Sequence, residues 1–424
     1  MKSPQHFNRI FGPGILFAST AIGVSHLVQS TRAGALYGFG LVIFVVLANI
    51  LKYPFFEFGS RYANVTGKSI IEGYAGIGRW MLLLYILITG LTLFFVTAAV
   101  GAVTAGFLSN LFQVKQWLPP MLFDAVPLVL FAVCTILLIR GNYSGLDRLI
   151  KGVGLVLVVA TLVAFVLLLI KGPFASDIPF ALPTMHGTAS ALPFLIALMG
   201  WMPTAVDLSA WNSLWTLERI RESGYHPTLK ETLLEFNIGY WISAALALVF
   251  VVFGAYLMYG VVDIPSGTVA FADALIGLYT ATIGDWSYFL IAASAFSIMF
   301  GTFIAVLDGY ARTAVACALA LTKREASSQA RNQIYTRMVA ITALGGYFTI
   351  LIAGNELKSL IDLATTLSFV VAPAIAAANF YLVMRNHAHP AVRPKKRMIY
   401  LATVGLLFLC TFSLVFLLNR CGII

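Results

Sequence analysis

Gly12-Pro-Gly14 opens a hydrophobic stretch that goes on to carry Ser19, Thr20, Gly23, Ser25, His26, Gln29, Ser30 and Thr31. Met199-Gly-Trp-Met-Pro203 interrupts a second one, followed by Thr204, Asp207, Ser209, Asn212 and Ser213. Helix breakers and polar side chains are tolerated in a bilayer where they are buried in protein or line a cavity. These two stretches therefore predict two interrupted membrane-spanning helices. At corresponding positions of two halves of a chain, such a pair points to a transporter built from inverted repeats.

The sequence around them is strongly apolar. The 424-residue chain is 60% hydrophobic and only 10% charged, with a mean hydropathy of +0.91, whereas a soluble domain carries about a quarter charged residues. Runs such as Met81 to Leu108, Gly152 to Ile170, Ile242 to Tyr259 and Tyr400 to Leu418 suit helical spans of roughly 20 residues. A closed barrel would need short alternating strands instead. Eleven segments are predicted, at 12–36, 38–60, 80–109, 119–139, 147–170, 190–217, 235–259, 286–315, 332–354, 358–383 and 398–418. The expected fold is all-α and polytopic, a single membrane domain over 1–424. Segments 1 to 5 (12–170) and 6 to 10 (190–383) form its halves, segment 11 (398–418) is extra, and segments 1 and 6 are the broken ones. Met1 to Ile10 is polar and no small-residue cleavage pattern follows, so no cleavable signal peptide is expected.

The net charge of +10 follows the positive-inside rule and requires no nucleic-acid partner. Lys and Arg crowd alternate connections: Arg61, Lys68 and Arg79; Arg140, Arg148 and Lys151; Arg219, Arg221 and Lys230; Arg324 and Arg331; Arg393, Lys395, Lys396 and Arg397. The stretch Leu257 to Trp286 has no basic residue and contains Asp263, Asp273 and Asp285. This pattern predicts a bacterial inner-membrane protein with its N-terminus cytoplasmic and its C-terminus outside. The run Arg393-Pro-Lys-Lys-Arg397 reads as an inner anchor and offers charge to anionic lipid. Cys134, Cys317, Cys410 and Cys421 lack the spacing of a disulfide framework or zinc site.

The chain resembles the NRAMP family of proton-coupled divalent-metal transporters, which has the leucine-transporter fold. The resemblance rests on Gly12-Pro-Gly14 and Ala33-Gly-Ala-Leu-Tyr-Gly38 in segment 1, Arg61-Tyr-Ala-Asn-Val-Thr-Gly-Lys68 after segment 2, and Met202-Pro203 in segment 6. It extends over most of the chain in topology and over short stretches in residues. An ungapped alignment places the family's Asp-Pro-Gly-Asn on Gly23-Val-Ser-His26, so the ligating Asp becomes Gly23 and the ligating Asn becomes His26. The resemblance keeps the thioether ligand as Met202 and puts the carbonyl-donating position on Met199. Two histidines that follow the family's Met-Pro are replaced by Thr204 and Ser209, and Gly90 to Leu108 lacks the usual carboxylate of helix 3. The implied protein is a divergent NRAMP-related transporter whose usual proton route is dismantled.

Gly23 removes the carboxylate that favours a divalent cation, and stripping water from an ion without a counter-charge is costly. Three arrangements answer this. His26 and Met202 form a softer site, since imidazole and thioether suit transition metals. Alternatively Asp207, one turn after Pro203, supplies the charge, completing a metal set of His26, Met202 and Asp207. Or the substrate is a non-metal solute or anion held by helix ends. Gly23, His26, Met199, Met202, Thr204 and Asp207 are the substrate-binding candidates. Each has a plainer reading: Gly23 permits the unwound backbone, His26 bonds a freed backbone group, Met202 packs, and Asp207 pairs with Arg32 or Lys52. An acid within a span marks function by default, so Asp207 is the sharpest candidate. Elsewhere, Lys52 and Glu57 either pair or reach the interface, Asp308 and Arg312 form an i, i+4 ion pair, and Asp362 lines a pathway or sits at the outer interface.

Enzyme, channel and nucleotide-driven readings lack their signatures. There is no His-Glu-x-x-His, no Gly-x-Ser-x-Gly, no selectivity-filter pattern and no phosphate-binding loop. The expectation is a secondary transporter without cofactor, acting on a small solute or metal ion in a lipid bilayer, with protons as a candidate coupling ion.

Overall fold

The computed structural model describes residues 12–119, 122–123, 125–140, 159, 161–175, 177–185, 191–261, 265, 267–323, 327–354, 356–385 and 389–423. Lys2, Arg9, Arg148, Lys151, Asp263, Arg324 and the start of segment 5 lie outside them. The described residues are all-helical, as the sequence predicts.

Segment 1 comprises α1 (Pro13–Ala21), a π turn (Ser25–Ser30) and α2 (Thr31–Tyr37). Then follow α3 (Val42–Thr66), α4 (Ile70–Ile77), α5 (Arg79–Leu111), α6 (Ala125–Arg140) and α7 (Thr161–Lys171). Segment 6 is α8 (Leu192–Gly200), a 3-10 turn (Val206–Leu208) and α9 (Ser209–Ser223). The chain continues with α10 (Leu229–Leu257), α11 (Thr268–Ile283), α12 (Tyr288–Thr322), α13 (Ser328–Ala353), α14 (Leu357–Arg385) and α15 (Lys396–Arg420). Among the described residues seven helices are long and apolar enough to cross a membrane, and α6 and α7 are shorter apolar helices. With the two broken segments, every predicted span has a helical counterpart.

Local chemistry sets several boundaries. Gly67 ends α3 at φ 66°, a left-handed position that glycine adopts without strain. Thr228 and Glu231 form a capping box that starts α10 at Leu229, earlier than the predicted 235. The connection to α10 is accordingly short, because α9 runs on to Ser223. Between the predicted spans 235–259 and 286–315 the structure has a further helix, α11, which packs on α5.

Small residues bring the broken segments close to their neighbours. A side chain at Gly14 would strike the Glu235 backbone, and one at Gly239 the backbone of Gly14. Gly34 and Gly254 form a second such contact between segment 1 and α10. A side chain at Gly200 would strike the Thr365 carbonyl on α14, and one at Gly59 that of Ser209. These contacts hold segment 1 against α10 and segment 6 against α3 and α14, the use that small residues have in membrane packing. A second group packs around α5: α12 and α13 lie on it and on each other, with α6 against α13.

Candidate functional site

The break in segment 1 spans Ile22 to Val24, between α1 and the π turn. Its backbone is largely self-satisfied: the Gly23 carbonyl accepts from the amides of Leu27 at 2.9 Å and His26 at 3.1 Å. The Thr302 hydroxyl on α12 donates to the Ser19 carbonyl at 2.6 Å. A Cβ at position 23 would lie 2.7 Å from two atoms of the Thr302 side chain. Gly23 and Thr302 are therefore coupled: the space a carboxylate would need at position 23 is filled from the facing helix.

His26 is fully buried and turned toward α10. Its Nε2–H donates to the Ser243 carbonyl at 2.8 Å, which leaves Nδ1 as the acceptor for the Ser25 hydroxyl at 2.7 Å. The Ser25 hydroxyl is also within reach of the Ala21 carbonyl. Phe250 meets the imidazole edge-on, with centroids 6.3 Å apart. Both ring nitrogens are thus engaged, and a ligand role would require His26 to leave Ser243.

Segment 6 is broken over Trp201 to Ala205, where Met202-Pro203 is cis. Carbonyls at the end of a helix lack intrahelical partners and carry the negative end of its dipole. Here the carbonyls of Met199 and Gly200, at the end of α8, and of Thr204, within the break, converge on one atom, the Nζ of Lys52 on α3, at 3.0, 3.1 and 2.8 Å. The Met199 carbonyl also accepts the Met202 amide at 3.3 Å. Lys52, Met199 and Met202 are wholly buried. Asp207, buried in the same break, keeps its Oδ1 without any hydrogen-bond partner.

Between the breaks lies a cavity of about 20 Å³, room for one water molecule. Its polar lining consists of Thr20 and Ser25 from segment 1, Thr204 and Trp201 from segment 6, and Thr302 from α12; apolar side chains, among them Val96 and Val100 of α5, form the rest of the wall. No carboxylate, imidazole or thioether lines it. Among the described residues no group of three His, Cys, Asp or Glu side chains is placed to hold a metal ion. A cation would have to sit outside this cavity, at the break of segment 6, where backbone carbonyls and Asp207 are the available oxygens.

The structure thus brings Met199, Met202, Thr204 and Asp207 together at one break, with Gly23 at the other and His26 directed away. Asp207 makes no close ion pair with Arg32 or Lys52, but it lies within electrostatic reach of the Lys52 ammonium. Arg32 instead grips Asp362 through both guanidinium nitrogens, at 2.7 and 3.0 Å. Lys52 does not pair with Glu57 either, because Glu57 binds Arg61 at 2.6 Å. The expected Asp308–Arg312 pair is present at 2.8 Å, extended by Trp215, Tyr335 and Glu218. Sequence reasoning missed Lys52 and Thr302 as parts of the site. The signal for Lys52 was present: a lysine in mid-span, where a charge demands partners.

No protein-family model matches the chain. A protein of Pasteurella multocida (strain Pm70), described as uncharacterized protein PM0681, is 36% identical over 421 residues, covering 97% of this chain and 92% of its own length. Among solved structures, a manganese transporter of Eremococcus coleocola, in complex with an aromatic bis-isothiourea substituted compound, is similar with a TM-score of 0.67. It shares 12% identity and covers 98% of this chain and 88% of its own. A histidine-to-alanine mutant of that transporter gives a TM-score of 0.68 at 12% identity, over 95% and 85% of the two chains. The fold is therefore NRAMP-like.

Proposed function

We propose that this chain, which belongs to one family with the Pasteurella multocida protein PM0681, is a secondary transporter that carries a metal cation by alternating access. One observation carries the reading: three backbone carbonyls in the break of segment 6 converge on a single buried positive charge. Oxygen atoms so arranged replace the hydration shell of a cation. Asp207 supplies the counter-charge that Gly23 no longer provides, and its free Oδ1 is available for it. Met202 adds a thioether that favours a transition metal over Mg²⁺. The fold similarity to manganese transporters agrees with this cargo.

The arrangement around the site suits alternating access. The cavity lies between the broken segments and the group around α5 and α12. An ion pair stands near each end of the broken segments. Arg32–Asp362 joins segment 1 to α14 near Phe194, at the start of segment 6. Asp308 joins α12 to Trp215, and Arg312 reaches Glu218, near the end of segment 6. Opening one pair while the other stays closed would expose the site to one side at a time. The charge distribution supports a cytoplasmic N-terminus in a bacterial inner membrane, and protons are the candidate coupling ions.

A second reading follows from the cavity itself, whose hydroxyl and apolar lining suits a small neutral or anionic solute. Uptake of Mn²⁺, Zn²⁺ and Mg²⁺ into proteoliposomes separates the two. The metal reading expects saturable Mn²⁺ or Zn²⁺ uptake that is weakened in Met202→Ala. Absence of uptake by folded, inserted protein overturns it in favour of the solute.

A further inference from the structure

We propose that Lys52 is a tethered cation: its ammonium fills the carbonyl site of segment 6 when no cargo ion is there, and a cargo ion and Lys52 exclude one another. The exclusion rests on the metal reading above; the filling of the site does not.

A charged side chain within a span normally pairs with an opposite charge, lines water or extends to the membrane surface. Lys52 does none of these by direct contact, although the Asp207 carboxylate acts on it as a more distant opposite charge. It is fully buried, and among the described residues no carboxylate lies within ion-pair distance of it. An ammonium has three protons and no acceptor. Lys52 directs them at three carbonyls, two of them on the last residues of α8, so its donors are saturated by backbone alone.

Segment 6 is unwound in a way that exposes acceptors, and a neutral side chain could not satisfy three of them with one atom. The ammonium thus stands where a free cation would stand. A metal ion requires oxygens at about 2.0–2.2 Å, whereas the ammonium holds the same oxygens at 2.8 to 3.1 Å. The two cannot be accommodated together. Loading a metal therefore requires the four-carbon stem of Lys52 to rotate out of the break. The Asp207 carboxylate, whose Oδ1 is unpartnered, then faces the incoming charge in place of the departing one.

The test compares purified wild type with Lys52→Ala, Lys52→Gln and Lys52→Arg in lipid nanodiscs. Ethylammonium, which carries the lost headgroup, is expected to raise the melting temperature of Lys52→Ala and leave wild type unmoved. Mn²⁺ is expected to bind Lys52→Gln about tenfold more tightly than wild type, because a like charge no longer competes. Lys52→Arg, which keeps the charge, should bind it no better than wild type. Lys52→Gln retains amide donors, so the competition remains measurable where Lys52→Ala fails to fold. An equal ethylammonium response, or equal indifference, in wild type and Lys52→Ala overturns the tethered cation. Mn²⁺ binding to wild type and Lys52→Gln with one affinity overturns the exclusion. Rescue of Lys52→Ala by ethylammonium, with Mn²⁺ ignored by every protein, retires the metal reading and supports Lys52 as a permanent occupant.

Discussion

The two broken segments solve the same problem with different chemistry. In segment 1 the freed groups are met by neutral partners: the Gly23 carbonyl by its own backbone, the Ser19 carbonyl by Thr302, and His26 by Ser25 and Ser243. In segment 6 the freed carbonyls are met by the Lys52 ammonium, and a carboxylate beside them has an unsatisfied oxygen. The break of segment 1 is thus neutral, while that of segment 6 holds the Lys52 ammonium of α3 and has Asp207 nearby. A cation site that lost its acid at position 23 would be expected to gather its counter-charge from elsewhere, and Asp207 is the buried acid available. On the proposed metal reading, the difference assigns cargo binding to segment 6 and a structural role to segment 1.

The largest effect that tests this contrast is expected from Asp207→Asn. The substitution keeps the shape and removes the one carboxylate found at the break among the described residues, so metal uptake should fall by about 100-fold. Stability should fall little with it, because the Asp207 Oδ1 has no hydrogen bond to lose and burial of a charge costs more than burial of a neutral amide. A melting curve run beside the uptake assay checks both. Loss of fold in Asp207→Asn would show that the acid is a structural member, and the contrast between the segments would fail.

The breaks themselves were legible in the sequence because Gly, Pro and clustered hydroxyl residues have no place in a lipid-facing helix. What occupied them was not. Lys52 and Glu57 lie five residues apart, about 140° around a helix, and so face different neighbours. The i, i+4 partner of Glu57 is Arg61, and that pair forms. The same spacing rule correctly paired Asp308 with Arg312. Hydropathy shows that Lys52 is inside the membrane, but the carbonyls it meets lie 147 to 152 residues away in sequence. Only the packing of α3 against segment 6 supplies them. Helix α11 was hidden by its acidic residue Asp273 and by flanking Gly267 and Gly284, which together resemble a loop.

An intermediate effect is expected at the neutral break. Gly23→Ala places a Cβ against Thr302 and should destabilise the protein by about 1–3 kcal/mol, the usual cost of overpacking. Adding Thr302→Ser removes the methyl, one of the two clashing atoms, while keeping a hydroxyl for the Ser19 carbonyl, and should recover part of that loss. Thermal melts of the two single variants and the double variant measure the coupling. Additive losses would mean that Gly23 is required for its backbone alone and that Thr302 does not occupy the space of a missing side chain.

The smallest effect should come from His26, the residue that its alignment with a metal ligand makes most tempting. His26→Gln retains a donor for the Ser243 carbonyl and loses the imidazole packing on Phe250. A cost of about 1 kcal/mol in stability is expected, the net worth of one hydrogen bond, with the KM for metal uptake unchanged. If KM rises instead while the melting temperature holds, His26 must leave Ser243 to meet the cargo. Charge and ligands would then be shared between both breaks, and segment 1 would be a working half of the site.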